Sequence, residues 1–269
     1  MKIKLNGKLT ETECNSVYQL CDSLFKKFEN TTVIINSFQL KSDRSIKEND
    51  EIFLIDKNKM PEKEELSAML FARHTPKIHE KIQNSRVAVA GLGGLGSHIA
   101  VSLARTGVGI LHLIDFDVVE PSNLNRQQYM INHLGMYKTD ALKEEILQIN
   151  PFVKIITHNV QVNKSNIYEL FKEDFIICEA FDDPKAKATL VNGILTQFTN
   201  KKIVASSGMA GFDSSNSIIT KKINGNFYIC GDGKTEAKEG RGLMAPRVSI
   251  CAGHQANMIL RLILGYDNI

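Results

Sequence analysis

The sequence predicts an α/β fold with a mostly parallel sheet, preceded by a small β-rich unit. Three observations lead there. From residue 86 onward, short apolar runs alternate with stretches of helical periodicity, the pattern of a sheet covered on both faces. The first such run, VAVA, passes directly into GLGGLGS (Gly91–Ser97) and a helix. The first 56 residues instead read as two strands, one helix and two more strands, an order and size that suggest a β-grasp fold.

In chain order, MKIKLNGKLTE supplies two alternating strands around Asn6-Gly7, a pair suited to a type I′ hairpin because both central residues need positive φ. Cys14 to Glu29 places Val17, Leu20, Cys21, Leu24 and Phe28 at helical spacing. Strands follow at Thr32–Ile35 and Glu51–Ile55, giving a first domain over 1–56. Residues 57–65 are a charged linker, and 66–269 form the larger domain. A helix is expected over Glu62–Lys81, interrupted near Thr75-Pro76, because proline removes a backbone donor and disfavours helix just before it. Beyond it, strands are expected at 86–90, 110–115, 152–158, 174–178 and 202–206, with helices at 94–106, 136–149, 165–172 and 184–199. Ser217–Ile223 and Asn226–Cys230 read as an antiparallel extension, and a final helix covers Ala245–Leu264. The intervening GDGKTEAKEGRG (Gly231–Gly242) is charged, glycine-rich and nearly devoid of apolar residues, which predicts a mobile loop.

Composition narrows the function classes. A net charge of +3 from 33 basic and 30 acidic residues is too mild to argue for nucleic acid or a membrane surface. No apolar run approaches the roughly 20 residues that span a bilayer, and the N-terminus lacks a signal-peptide core, so a cytoplasmic placement is expected. The five cysteines are widely spaced and odd in number, which suits reduced thiols. His112, in a strand, is expected to be a packed core residue.

Gly91, Gly93 and Gly96 fit a Gly-x-Gly-x-x-Gly turn between strand and helix, where backbone amides approach phosphates. Such Rossmann-like turns serve nicotinamide, flavin and adenylate binders alike. Asp115 ends the next strand, ILHLID, about where a carboxylate accepts hydrogen bonds from ribose hydroxyls. The segment that follows, DFDVVEPSNLNRQ, narrows the choice. Hydride transfer has little use for Asn123 and Arg126 just past the ribose carboxylate, whereas a triphosphate does.

GLGGLGS followed by DFDVVEPSNLNRQ resembles the ThiF/MoeB/HesA group of the ubiquitin-activating enzyme superfamily, and the resemblance runs from about Leu66 to Gly265. It implies adenylation of the C-terminal Gly-Gly carboxylate of a ubiquitin-like sulfur carrier, with ATP and Mg2+ as cofactors and a homodimer as the assembly. Within that group, SSGMAGFDSSNSI and the stretch from Tyr228 to Met258 resemble a short ThiF type, which implies a ThiS-type carrier and thiamine thiazole biosynthesis. By the same resemblance, Gly91, Gly93, Gly94 and Gly96 hold the nucleotide, Asp115 and Asn123 orient it, and Arg126 and Lys138 meet its phosphates. Asp182 is implied as the magnesium ligand and Asp117 as a weaker polar or metal candidate, while Asp183 replaces the Asn usual beside it.

Departures from the family pattern qualify this picture. An Arg-Tyr-Ser-Arg-Gln element reads ARHTPK here: Arg73 matches its first arginine, Pro76 replaces the second, and Lys77 is the alternative cation. The paired Cys-x-x-Cys motifs of zinc-bearing relatives are missing, so no zinc is expected, and Gly231–Ile250 lacks the crossover-loop cysteine of sulfur-passing members. NDEIFLI resembles the closing strand of ThiS-type carriers, yet the chain runs on as DKNKMPEKEE without a Gly-Gly tail. Two further readings therefore stay open: a regulatory or idle protein whose β-grasp domain fills the carrier site, and adenylation of another acceptor such as tRNA.

Overall fold

The computed structural model describes residues 1–60, 63–70 and 76–269, with the side chains at 63, 64, 68, 76 and 77 outside that description. Two compact units divide the chain, Met1–Glu80 and Lys81–Ile269.

The first unit is a five-stranded sheet in the order β2-β1-β5-β3-β4, made of β1 (Lys2–Leu5), β2 (Lys8–Glu11), β3 (Thr31–Ile35), β4 (Phe38–Leu40) and β5 (Glu51–Asp56). β1 and β5 run parallel and the other pairs antiparallel. Asn6 (φ 45°) and Gly7 (φ 80°) form the expected two-residue turn. β4 was not expected. It arises from a second turn of the same kind at Asn36 (φ 51°) and Ser37 (φ 67°), with Ile35 opposite Phe38. Without a glycine, this turn gives little sequence signal.

The helix expected over 14–29 is a short one, α1 (Val17–Ser23). The Ser16 side chain caps its start, and Phe25 at φ 55° ends it. Phe28 still reaches the core through a separate 3-10 turn, packing beside Val17, Leu20 and Cys21. After β5 the chain turns and enters α2 (Lys63–Leu70), which packs along β5 and is tied to the sheet by Asn6 Nδ2 donating to Glu65 Oε1 at 3.0 Å. Helix α3 (Pro76–Gln83) begins at the proline, and residues 71–75, which include Arg73, lie outside the described part.

The second unit is a seven-stranded sheet in the order β11-β12-β10-β9-β6-β7-β8. Its strands are β6 (Arg86–Ala90), β7 (Ile110–Ile114), β8 (Lys154–His158), β9 (Ile176–Glu179), β10 (Lys202–Ser206), β11 (Ile219–Lys222) and β12 (Phe227–Gly231). All neighbours pair in parallel except β11 with β12. The extension is thus antiparallel within itself, while β12 joins β10 in parallel.

Alternation along each strand divides the core in two. Val87, Val89, Leu111, Leu113, Cys178 and Val204 face the cluster shared with α4 (Gly94–Thr106), α5 (Lys138–Ile149) and α8 (Ala245–Leu264). Ala88, Ala90, Ile114, Ile177 and Ile203 face α6 (Ile167–Phe171) and α7 (Pro184–Gln197). His112 is buried, as expected, and its polarity is absorbed: Nδ1 meets Asp174 Oδ2 at 2.7 Å and Nε2 meets His158 Nδ1 at 2.8 Å. Arg86 Nε donates to the other Asp174 oxygen at 2.6 Å. No helix among the described residues is long and apolar enough to cross a membrane.

Candidate functional site

In an open parallel sheet, the crevice beyond the carboxyl ends of the strands, where the order reverses, is where ligands bind. Here the reversal falls at β6, which lies between β9 and β7. A cleft of about 960 Å³ opens there, lined by the glycine-rich turn, the residues after β7, the start of α7 and the loops after β10 and β12.

Close packing explains two of the glycines. Gly91 has φ 88°, and a Cβ there would lie 2.8 Å from the Ala180 carbonyl oxygen. A Cβ on Gly96 would lie 1.8 Å from the Gly91 oxygen, so Gly96 seats α4 against the turn and does not line the cleft. Gly93 and Gly94 do line it. α4 starts at Gly94 without a side-chain cap, leaving the first amides of the helix to a ligand.

Asp115 is buried, its Oδ2 accepting from the Leu92 amide at 2.6 Å and its Oδ1 from the Asp117 amide at 2.9 Å. Burial pushes its carboxyl upward, against the pull of those amides and of Lys138. Each oxygen keeps a second lone pair for a hydroxyl donor. The Lys138 ammonium, also buried, meets Asp117 Oδ2 at 2.8 Å, which places Asp117 as its counter-ion. Asn123 closes a 3-10 turn in which its Oδ1 accepts the Glu120 amide at 3.0 Å. Arg126 donates through Nη1 to the Ser122 carbonyl (3.0 Å) and Asn125 Oδ1 (2.9 Å), while its Nε is buried with no partner among the described residues.

The two adjacent aspartates differ. Asp183 caps α7, its Oδ2 accepting the Ala186 amide at 2.7 Å. Asp182 lines the cleft, exposed and outside that cap. The cleft therefore gathers Gly91, Gly93, Gly94, Asp115, Asp117, Asn123, Arg126, Lys138 and Asp182, and leaves out Gly96. Arg73 lies outside the described residues, as does the Lys77 side chain.

Sequence reasoning missed a second ion pair. Lys187 Nζ sits 3.0 Å from both oxygens of Glu179 and 3.1 Å from Ser206 Oγ. Burial raises the Glu179 carboxyl and Lys187 opposes it. The signal was a lysine eight positions beyond a strand-end glutamate, unreadable without knowing that α7 folds back over β9. Gln127, which follows Arg126, also lines the cleft with its Oε1 buried and unpartnered among the described residues.

An uncapped helix start, a glycine cradle and a buried orphan guanidinium N–H suit a polyphosphate. Magnesium prefers few protein ligands and keeps several waters, so a single free carboxylate at Asp182 fits it. Among the described residues no group of three or more His, Cys, Asp or Glu is placed to hold a metal ion.

Comparison with known proteins agrees with this architecture. Residues 66–269 match the ThiF family model, and 1–58 match the ThiS-like ubiquitin model. The adenylyltransferase and sulfurtransferase UBA4 of Saccharomyces cerevisiae is 32% identical over 197 residues, covering 70% of this chain and 44% of UBA4. The chain thus spans less than half the length of that relative. Among solved structures, the E. coli tRNA N6-threonylcarbamoyladenosine dehydratase TcdA in complex with ATP aligns with a TM-score of 0.66 at 21% identity, over 73% of this chain and 92% of that one. E. coli MccB with AMPCPP and MccA aligns with a TM-score of 0.57 at 21% identity, over 77% and 72%. At such identities these two structures speak for the fold. With a family model matching the whole second unit and the glycine turn seated as described, the chain belongs to the ThiF family and carries a ThiS-like ubiquitin domain at its N-terminus.

Proposed function

We propose that this chain is an ATP-dependent adenylyltransferase that activates the C-terminal carboxylate of a ubiquitin-like sulfur carrier, of the ThiS type used in making the thiamine thiazole. The observation that carries the reading is the convergence, in one cleft, of the uncapped α4 start, Asp115, Arg126, Lys138 and Asp182. The names of the relatives UBA4 and MoeZ, the latter from Mycobacterium tuberculosis and 36% identical over 105 residues, support adenylyl transfer.

Adenylation requires a carboxylate oxygen to attack the α-phosphorus of ATP in line with departing pyrophosphate, so the protein's work is positioning and neutralising charge. The first amides of α4, with Gly93 and Gly94 beside them, would receive phosphate oxygens. Asp115 would hold the ribose hydroxyls, and Asn123 would fix the sugar or phosphate next to it. Arg126 offers a planar fork to the departing phosphates. Lys138 adds a compact charge that Asp117 keeps oriented and partly offset. Asp182 would hold magnesium, which supplies charge neutralisation across the phosphates when bound. The homodimer that the resemblance implies belongs to the same proposal.

The test is ATP/pyrophosphate exchange with a purified ThiS-type carrier ending in Gly-Gly. Exchange that depends on the carrier and is lost when its last glycine is deleted is the expected result. ATP binding without exchange would overturn the reading. A regulatory alternative draws on one observation, the passage of β5 through a turn into α2, which denies the N-terminal domain a free C-terminal carboxylate of its own.

A further inference from the structure

One buried guanidinium ties together the two loops that line the cleft away from the glycine turn. Arg247, in the first turn of α8, is 3% exposed. Its Nη1 donates to the carbonyls of Asp213 (2.8 Å) and Ser214 (2.9 Å), and its Nη2 to Ser217 Oγ (3.0 Å) and Asp232 Oδ2 (2.6 Å). Its Nε is buried with no partner among the described residues, whereas both Asp232 oxygens are engaged. Asp232 Oδ1 accepts the amides of Lys234 and Thr235, each at 2.8 Å, and Oδ2 also accepts the Thr235 hydroxyl at 2.7 Å. Burial alone would raise this carboxyl, but the donors of Thr235, Lys234 and Arg247 hold it far below the usual range.

The turn built on Asp232 rests directly on the other loop. The Asp232 amide donates to the Gly208 carbonyl and the Gly233 amide to the Ser207 carbonyl, both at 2.9 Å. Gly208, at φ 80°, has no room for a side chain, since a Cβ would lie 2.1 Å from Asp232 Oδ1. Ser207, Gly208, Met209, Lys234, Thr235 and Leu243 line the cleft, whereas Arg247 and Asp232 lie behind that wall.

A buried ion pair is a poor way to gain stability, because taking both charges out of water offsets most of their attraction; its attested use is to select one arrangement among several. We infer that the Arg247–Asp232 pair is a positioning clamp for acceptor binding, holding the 207–210 and 233–237 loops as the wall against which the carrier's extended tail lies. This rests on the adenylation reading, and it separates two halves of the cleft. Nucleotide contacts come from the glycine turn, Asp115, Arg126 and Lys138, none of which the clamp touches. Breaking it should weaken the acceptor's hold and leave ATP binding intact.

The experiment compares the full-length chain with Asp232→Asn and Arg247→Met, and with Arg247→Lys as the conservative variant, in three measurements: ATP affinity by titration calorimetry, exchange kinetics with a Gly-Gly-tailed ThiS-type carrier, and the rate of tryptic cleavage after Lys234, Lys238 and Arg241. Expected are a carrier KM raised at least ~10-fold, cleavage accelerated by a similar factor, and kcat and the ATP Kd within ~3-fold of the parent, the split that marks lost binding as opposed to lost chemistry. Arg247→Lys keeps the charge without the fork, so it should fall between the parent and Arg247→Met. Should the Arg247 variants not fold, Asp232→Asn and Thr235→Ala carry the test. Faster cleavage with an unchanged carrier KM, no change in either, or a parallel loss of ATP binding overturns the clamp while adenylation stands. A parent chain that binds ATP yet does not exchange overturns the adenylation reading and this assignment with it.

Discussion

Gly93 and Gly96 stand three residues apart in one motif, yet a methyl group would mean opposite things at the two positions. At Gly96 it would lie 1.8 Å from a backbone oxygen that cannot move without unseating α4. Gly96→Ala should therefore cost more than the about 1–3 kcal/mol of ordinary overpacking, read as a loss of denaturation midpoint. At Gly93 the nearest atom would be Gln127 Nε2 at 3.8 Å, so Gly93→Ala should leave stability near the parent while its methyl intrudes on the space proposed for phosphate. Its ATP affinity should fall roughly tenfold, about 1.4 kcal/mol. For chemistry the decisive substitutions are Arg126→Ala and Asp182→Ala. Each should lower carrier-dependent exchange on the order of a hundred- to thousandfold, about 3–4 kcal/mol of transition-state stabilisation; rates near the parent's in either variant would remove that residue from the mechanism. The candidates that came together in the cleft were legible because they fall in contiguous motifs, where spacing alone carries the information. Asp117 was legible only as a polar candidate, and Lys187 and Arg247 were not legible at all, since their roles are set by partners that sequence spacing does not reveal: Lys138 lies 21 positions from Asp117, and Asp232 lies 15 from Arg247.

At the level of elements, legibility followed burial pattern and turn chemistry. The strand at 86–90 and the helix at 94–106 were predicted to the residue, and the last helix was placed near its observed 245–264, because glycines bound the two helices on the C-terminal side and alternation is unbroken in the strand. α1 was overextended because Leu24 continues the apolar spacing although it is exposed, the backbone having already turned at Phe25. The pairing of β12 could not be read locally, as a strand's alternation does not say which neighbour it joins or in which direction. Helix α5 carries a testable peculiarity. Glu145 faces the interior with Oε2 unpartnered among the described residues, and burial pushes its carboxyl up to about 7 against the opposing pull of Arg105. Between its ordinary value of 4.5 and about 7, the folded chain keeps a proton that the unfolded chain has released. Stability must then fall as pH rises through that window and level off above it, by about 3–4 kcal/mol at most. Glu145→Gln should abolish this slope, making the variant the more stable form at pH 8 and no different near pH 4.5, as judged by urea denaturation.

For the molecule as a whole, the question is what a ThiS-like domain does on a chain of this family. Its sheet and core are those of a β-grasp fold, but its last strand leads into α2 where a carrier would offer a free tail. The full-length chain alone should accordingly show no ATP/pyrophosphate exchange above background, and a chain beginning at Lys59 should exchange with an added carrier at least as fast as the full-length form. A rise of tenfold or more on truncation would mark the domain as an inhibitor; loss of exchange would make it part of the enzyme. The thiols of the second unit carry a different message. Cys178, Cys230 and Cys251 are all fully enclosed, and burial lifts Cys230 to about 11, Cys251 to about 12 and Cys178 well above its ordinary value. At neutral pH none presents a thiolate, the form that attacks an acyl group. On the adenylation proposed above, an anhydride made in the cleft would therefore not pass to any of these three thiols, and its acyl carbon would await a nucleophile from outside the second unit. Under that proposal the second unit would lend activation, and its timing would be governed by whatever brings the nucleophile.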